Sequence, residues 1–463
     1  MAVDEKRIAS IVEAVLKNIN ERDSLGQGNR GIYSELNMAV IRAVEAQKKL
    51  RNLAIEQKKK LIETVRQASV DNAERLAKLA VEVTGLGRWQ DKKSKIINSA
   101  TLTPGMEDIQ SGLIKGDDGF TLLEYIPVGF VVLIAPTTHP IAQLVNHVIC
   151  MLAVGNSTFI CPHPRAQEAS RELIRVLNDA ITEAGGPADL VVATEEASLE
   201  AVEMVCKHKE TQMIVAAGGP AVVKMALSSG KKAIAAGPGN PPVLVDETAD
   251  LAKAARDIIA GASFDNNILC IAEKEIFVVD SVADQLIVEL ERNNSYILKG
   301  SEIDRVTKLV TRDAEHVNPE YVGKDAALIL KEAGISVSDD IRAAIMDVPF
   351  SNPLVKIEQM LPVLPLVRVK DFEKGLAKSI EAERDCGHTA MLHSNNLKRI
   401  ARFSRELSVT IAVINGPSYA GLDVEGDSQY THAIAEPTFE GICTPKNFTK
   451  EVRCSICGGI KFS

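Results

Sequence analysis

The rhythm of apolar and polar positions divides the chain. Near the N-terminus Ile8, Ile11, Val12, Val15, Leu16 and Ile19 recur at the spacing of a single helix face, with Glu5, Lys6, Arg7, Glu13, Lys17 and Asn18 between them. That spacing predicts an amphipathic helix over residues 1–19. Residues 20–33 are polar and glycine-bearing and read as a linker. An apolar stripe beyond a linker either folds back onto the main body or docks in another protein's groove. Gly26, Gly28 and Gly31 spell GxGxxG inside the linker. That motif binds dinucleotides only where it follows a strand and opens a helix. Here it follows a helical stretch and a polar run, so it is set aside.

The body alternates periods. Residues 34–80 carry helical periodicity. Residues 124–135 read as two strands broken at Pro127-Val128-Gly129, and the second is the apolar run Phe130 to Ile134. A helix over 141–153, a strand over 157–161 and a helix over 167–184, closed by Gly185-Gly186, come next. A strand over 190–193, a helix over 196–207 and a strand over 213–216 complete the series. A second series starts near Pro241, with strands at 243–245, 275–279, 361–369, 389–393 and 410–414 and a helix at 251–260. Such alternation predicts two α/β units, 34–240 and 241–434, each on a parallel sheet with a cleft between them. Ligands then sit at the carboxyl ends of strands. Segments 110–128 and 435–463 fit neither core and read as β arms, the kind of segment that builds contacts between subunits.

Composition narrows the function classes. With 53 Lys and Arg against 62 Asp and Glu, the chain carries a net charge of −9, which argues against nucleic-acid binding by bulk charge. No apolar run approaches the ~18 residues of a membrane span. At 46% hydrophobic residues, disorder is excluded. Eight dispersed Cys and no secretory signal point to reduced thiols and a cytoplasmic setting. Cys454 and Cys457 form one CxxC, but no second pair stands at zinc spacing, so no metal site is expected.

Chemistry concentrates at Cys270, in Phe264-Asp265-Asn266-Asn267-Ile268-Leu269-Cys270-Ile271-Ala272. The thiol lies on a connection between a helix and a strand, where nucleophiles are often presented. The amides of Asn266 and Asn267 suit a turn. A nucleophilic thiol needs a dipole or cation to ionise it, and the sequence does not reveal that helper. On residue type alone, a Cys is more often a buried hydrophobe.

The string from Phe264 to Glu275 closely resembles the active-site signature of the CoA-acylating aldehyde dehydrogenases, above all the propionaldehyde and acetaldehyde enzymes of bacterial microcompartments. Pro136-Thr137-Thr138-His139-Pro140 resembles the family's first cofactor loop, and Pro162-His163-Pro164-Arg165-Ala166 its nucleotide-contacting turn. Ala217-Gly218-Gly219-Pro220 resembles the loop beside the nicotinamide, and Gly237-Pro238-Gly239-Asn240-Pro241-Pro242 the domain hinge. Gly387-His388-Thr389-Ala390 and His393-Ser394 match as well. The resemblance spans about residues 35–460. It implies the aldehyde dehydrogenase fold: a Rossmann-like NAD- and CoA-binding domain, an α/β catalytic domain and a β-arm oligomerisation segment. It implies a homo-oligomer, dimer or tetramer, and a short-chain aldehyde substrate, propionaldehyde first and acetaldehyde second. It also gives residues 1–19 a role, docking to a microcompartment shell protein.

For the site, the resemblance implies Cys270 as nucleophile and Thr138 at the oxyanion position, where ordinary aldehyde dehydrogenases have Asn. It implies Pro136, Thr137, Gly218 and Gly219 at the cofactor and Glu358 on the nicotinamide ribose. Gly218 and Gly219 have no side chain to obstruct a ring, though a structural turn would need glycine too. His163 and Arg165 suit a phosphate or ribose, or a plain polar turn. Hydrolytic members place a Glu 34 residues before the nucleophile as general base. This chain has Ala236 there, and Ala accepts no proton. The acyl-enzyme is then expected to await CoA rather than water, in four steps: thiohemiacetal on Cys270, oxyanion stabilisation, hydride loss to NAD⁺, and acyl transfer to CoA. The competing readings are an acyl-phosphate reductase, a hydrolytic enzyme with a base recruited from Glu273 or His388, and a catalytically silent shell cargo.

Overall fold

The computed structural model describes residues 30–422, 424 and 429–458. The stripe Ile8–Ile19, and Gly26 and Gly28 of the linker, lie outside the described residues.

Two parallel sheets carry the molecule. The first has six strands in the order Ile32–Tyr33, Val191–Thr194, Ser157–Cys161, Phe130–Ile134, Thr211–Ala217 and Lys232–Ala236. Its first strand begins inside the segment read as linker: Ile32 and Tyr33 pair with Ala193 and Thr194. Two buried apolar residues beside an open strand edge suffice to end the linker there. Phe130–Ile134 is buried along its whole length because helices cover both faces. Alternate side chains serve opposite cores. Val131 and Leu133 pack with Leu144 and Val148 of the helix Ala142–Val154. Phe130, Val132 and Ile134 pack with Val40 and Ala43 of the helix Leu36–Arg51.

The second sheet has seven strands in the order Ser295–Leu298, Ala343–Asp347, Val363–Val369, Glu275–Val279, Pro242–Val245, Thr389–His393 and Ile411–Ile414, all parallel. Here too the strands alternate: Ile276 and Val278 face one core, Phe277 and Val279 the other. Residues 237–241 connect the last strand of the first sheet to Pro242–Val245.

A third, antiparallel sheet stands apart. Gly119–Pro127 pairs with Gly112–Gly116 on one side and Thr449–Cys457 on the other. A Cβ on Gly119 would lie 2.0 Å from the Ile456 carbonyl oxygen, so the close register at that end requires glycine. Cys454 and Cys457 are exposed on this arm. Three positions apart on a strand, they point to opposite faces and do not converge on one ion. Among the described residues no helix is long and apolar enough to cross a membrane.

Candidate active site

Four strands of the first sheet deliver their carboxyl-terminal loops to one place. Phe130–Ile134 leads to Pro136, Thr137 and Thr138, and Ser157–Cys161 to Pro162 and His163. Thr211–Ala217 leads to Gly218 and Gly219, and Lys232–Ala236 to Gly237 and Pro238. All line a cavity of about 520 Å³, and the second domain closes it with Leu269, Cys270, Ile271, Glu358 and Met360. Of the residues singled out in the sequence, Cys270, Thr138, Pro136, Thr137, His163, Gly218, Gly219 and Glu358 share this wall. Arg165 does not: its side chain is exposed, and only its backbone N–H is tied down, donating to His163 Nδ1 at 3.1 Å.

The nucleophile loop owes its shape to an unusual backbone. Asp265, Asn266 and Asn267 follow the helix Leu251–Ser263 with φ of 48°, 55° and 68°. Asp and Asn tolerate this left-handed region better than other side chains, yet each such residue costs about 1–3 kcal/mol and needs support. Asn267 Nδ2 donates to the carbonyls of Ala262 and Glu273 at 2.9 Å each. Asn266 Nδ2 donates to Gly323 O at 3.0 Å. Asp265, wholly buried, accepts from Lys92 Nζ at 2.9 Å, Lys95 Nζ at 2.5 Å and the Arg88 N–H at 2.8 Å. Lys92 and Lys95 come from the helix Trp89–Leu102 of the first domain, so a buried ion cluster ties the nucleophile loop to its neighbour. The hinge passes close by. A Cβ on Gly239 would lie 2.8 Å from the Cys270 carbonyl oxygen, so no larger residue fits without movement.

Electrostatics set the resting protonation. Burial pushes the Cys270 thiol up to about 11, the nearby Glu358 charge adds to the rise, and Lys274 and Lys95 oppose it. Burial likewise raises Glu358, opposed by Lys274 and by the Gly239 N–H, which donates to Glu358 Oε1 at 3.3 Å. Burial holds His139 well below the ordinary histidine value, so it is neutral. Its Nδ1 lies 2.9 Å from Thr138 Oγ1. Ala236, 34 residues before Cys270, also lines the cavity and presents a methyl group to it. Neither alternative base lines the wall. Glu273 is engaged by the Ser418 N–H and hydroxyl, at 2.8 Å each, and burial raises it to about 7. His388 is buried with Nδ1 against Thr389 Oγ1 at 2.9 Å, and burial lowers it to about 4.

The wall fits a dinucleotide. Thr137 Oγ1 is buried without a hydrogen-bond partner, a polar atom ready for a ligand. A Cβ at Gly219 would meet nothing within 4 Å, so the space beside that backbone is open. Leu199 and Val202 of one helix and Val222 and Met225 of another add an apolar wall suited to a flat base.

Residues 13–426 match the family model described as the aldehyde dehydrogenase family. The chain belongs to the aldehyde dehydrogenase family. Within it, the chain is 40% identical over 440 residues to an acetylating acetaldehyde dehydrogenase of Bilophila wadsworthia, covering 93% of this chain and 90% of that one. Among solved structures it is similar to a propionaldehyde dehydrogenase of Rhodopseudomonas palustris, with bound CoA and an acylated cysteine. The TM-score is 0.91 at 40% identity, over 92% of this chain and 98% of that one. It is also similar to a propionaldehyde dehydrogenase from the fucose utilisation microcompartment of Clostridium phytofermentans, with a TM-score of 0.90 at 38% identity, over 92% and 98% of the two chains. The aldehyde dehydrogenase fold expected from the sequence is thus the fold of this chain.

What sequence reasoning missed is the charged bed beneath Cys270. Lys92 and Lys95 sit more than 170 residues before it and read as the polar face of a surface helix. Lys274, four residues after Cys270, reads as a strand-edge charge, yet it is fully buried. The one available signal was the Glu-Lys-Glu run directly before an apolar strand.

Proposed function

We infer that this aldehyde dehydrogenase is CoA-acylating: it converts a short-chain aldehyde, NAD⁺ and coenzyme A to acyl-CoA and NADH through a thioester on Cys270. One observation carries the reading. Cys270 shares its cavity with Ala236, and among the described residues the only carboxylate in that wall is Glu358. The relatives named above, acetylating or acylated on cysteine, support it.

The residues divide the work as follows. Cys270 attacks the aldehyde carbon, and the proton released from its thiol leaves through the cavity. The charge that develops on the aldehyde oxygen meets the Cys270 backbone N–H and the Thr138 hydroxyl. With His139 neutral and donating Nδ1–H to Thr138 Oγ1, the Thr138 proton is free to point at that oxygen. NAD⁺, held by the Thr137, His163, Gly218, Gly219 and Glu358 wall, supplies the hydride acceptor. Loss of hydride leaves the acyl group on Cys270 as a thioester. Ala236 and the apolar wall offer water no base, so the thioester persists until the thiol of coenzyme A takes the acyl group and frees Cys270. Exchange of one thioester for another costs little, so the reaction runs in both directions. Propionaldehyde is the first-choice substrate and acetaldehyde the second.

The assembly reading is a homo-oligomer built through the antiparallel arm. Residues 1–19 carry the enzyme into a microcompartment by docking to a shell protein. Deleting residues 1–20 then leaves specific activity intact and abolishes encapsulation; lost activity would favour the fold-back alternative. The mechanism is tested by supplying propionaldehyde and NAD⁺ without CoA and digesting the protein. A propionyl group on the Cys270 peptide, removed on adding CoA, is the expected result. An unmodified peptide together with free propionate would refute it.

A further inference from the structure

Lys274 is among the largest fully buried side chains of the molecule. Its ammonium has three N–H donors and no acceptor. All three go to neutral oxygens: Asn267 O at 3.2 Å, Asn267 Oδ1 at 2.5 Å and Leu269 O at 3.1 Å. Lys92 and Lys95, also buried, share the carboxylate of Asp265. Lys274 has no such contact: none of its donors reaches a carboxylate among the described residues. A buried charge without a counter-charge is strongly unfavourable, so a fold that keeps one must gain from it elsewhere. Two of the three acceptors belong to Asn267, which shapes the turn before Cys270, and the third to Leu269, the direct neighbour of Cys270.

We propose that Lys274 is the positioning residue of the nucleophile, and that the thiolate of Cys270 is the counter-charge its ammonium lacks. Its hydrogen bonds hold the left-handed loop, and its charge favours the ionised thiol. It supplies the helper that the sequence does not reveal.

The groups around the pair fit this division. Glu358, Glu273 and Glu275 all act on Lys274 through space, but each has another hydrogen-bond partner: Gly239 N–H, Ser418 and Asn240 Nδ2 at 3.4 Å. Lys95 reinforces Lys274 from the first domain, donating to Ile268 O at 3.0 Å. His139 and His388 face the same ammonium and are held neutral. Burial works against the charged forms of both Cys270 and Lys274 when each is considered alone. Their mutual attraction is what the low-polarity setting strengthens.

The inference rests on Cys270 being the nucleophile, and its test needs neither aldehyde nor CoA. The rate of iodoacetamide alkylation of the Cys270 peptide is followed against pH by mass spectrometry, in wild type, Lys274→Gln and Lys274→Arg. The midpoint is expected to rise by about one unit or more in Lys274→Gln and to return toward wild type in Lys274→Arg. A purely structural lysine would slow alkylation at every pH without moving the midpoint, and that result overturns the proposal. The same comparison in a Glu358→Gln background must keep the shift; its disappearance there would make Lys274 the partner of Glu358 instead. A stability measurement tests the site independently of any change at Lys274. Above pH 6, Cys270→Asp is expected to melt higher than Cys270→Asn, because the site favours an anion; the reverse order contradicts the proposal. Absence of CoA-dependent turnover in the wild type, together with an intact midpoint shift, would refute the acylating reading and leave this one standing.

Discussion

Ala236 and Cys270 line one cavity from two different domains, the first at the end of the last strand of its sheet and the second on a loop that enters its own. The pairing sets a methyl group, which accepts no proton, in the same cavity as the nucleophile of the proposed mechanism. Ala236→Glu is therefore expected to create hydrolysis, with NADH formation from propionaldehyde without CoA rising by about 10²–10⁴-fold. A folded variant that remains wholly dependent on CoA would show that something other than the missing base protects the thioester.

The Thr138 hydroxyl lines the cavity and has His139 Nδ1 at 2.9 Å. Thr138→Val keeps the shape and removes the donor. Loss of one oxyanion donor costs roughly 10²–10³-fold in kcat, and the KM for NAD⁺ is expected to stay close to wild type. A fall in kcat of less than about threefold would move the oxyanion role elsewhere, with Thr137 the next hydroxyl in the wall.

His147 gives a stability prediction with a definite sign. It is buried in the helix Ala142–Val154, its Nε2 has no hydrogen-bond partner, and burial lowers it to about 4. Its value is 6.5 when the chain unfolds. Between those limits the unfolded state binds the extra proton, so wild type loses stability as the pH falls from 6.5 to 4. His147→Leu lacks that loss. Denaturant unfolding at pH 7 and pH 4 is expected to change the variant's stability relative to wild type by about 3 kcal/mol in the variant's favour. A pH-independent difference would mean that His147 titrates normally in the fold.

The alternation of periods made the first sheet readable, since strands such as Phe130–Ile134 and Ser157–Cys161 are short apolar runs bounded by turns. The second domain was legible only in part. The strands Ser295–Leu298 and Ala343–Asp347 and the helix Ala326–Glu332 are short and of mixed character, and short apolar runs do not distinguish strand from buried helix. At the site, the wall residues were visible because each sits on a recognisable loop. Arg165 shared such a loop and still projects away: the His163 side chain caps the turn by accepting the Arg165 backbone N–H, and the Arg165 side chain is left exposed. The Lys92–Asp265–Lys95 cluster was invisible because contact across some 170 residues leaves no local pattern.

The central claim is that Cys270 passes its acyl group to CoA rather than to water. It is tested most directly by NADH formation from propionaldehyde and NAD⁺, with and without CoA, in wild type and Cys270→Ala. The account predicts turnover that requires CoA and vanishes in Cys270→Ala. Sustained turnover without CoA, or activity that survives the loss of Cys270, would contradict it.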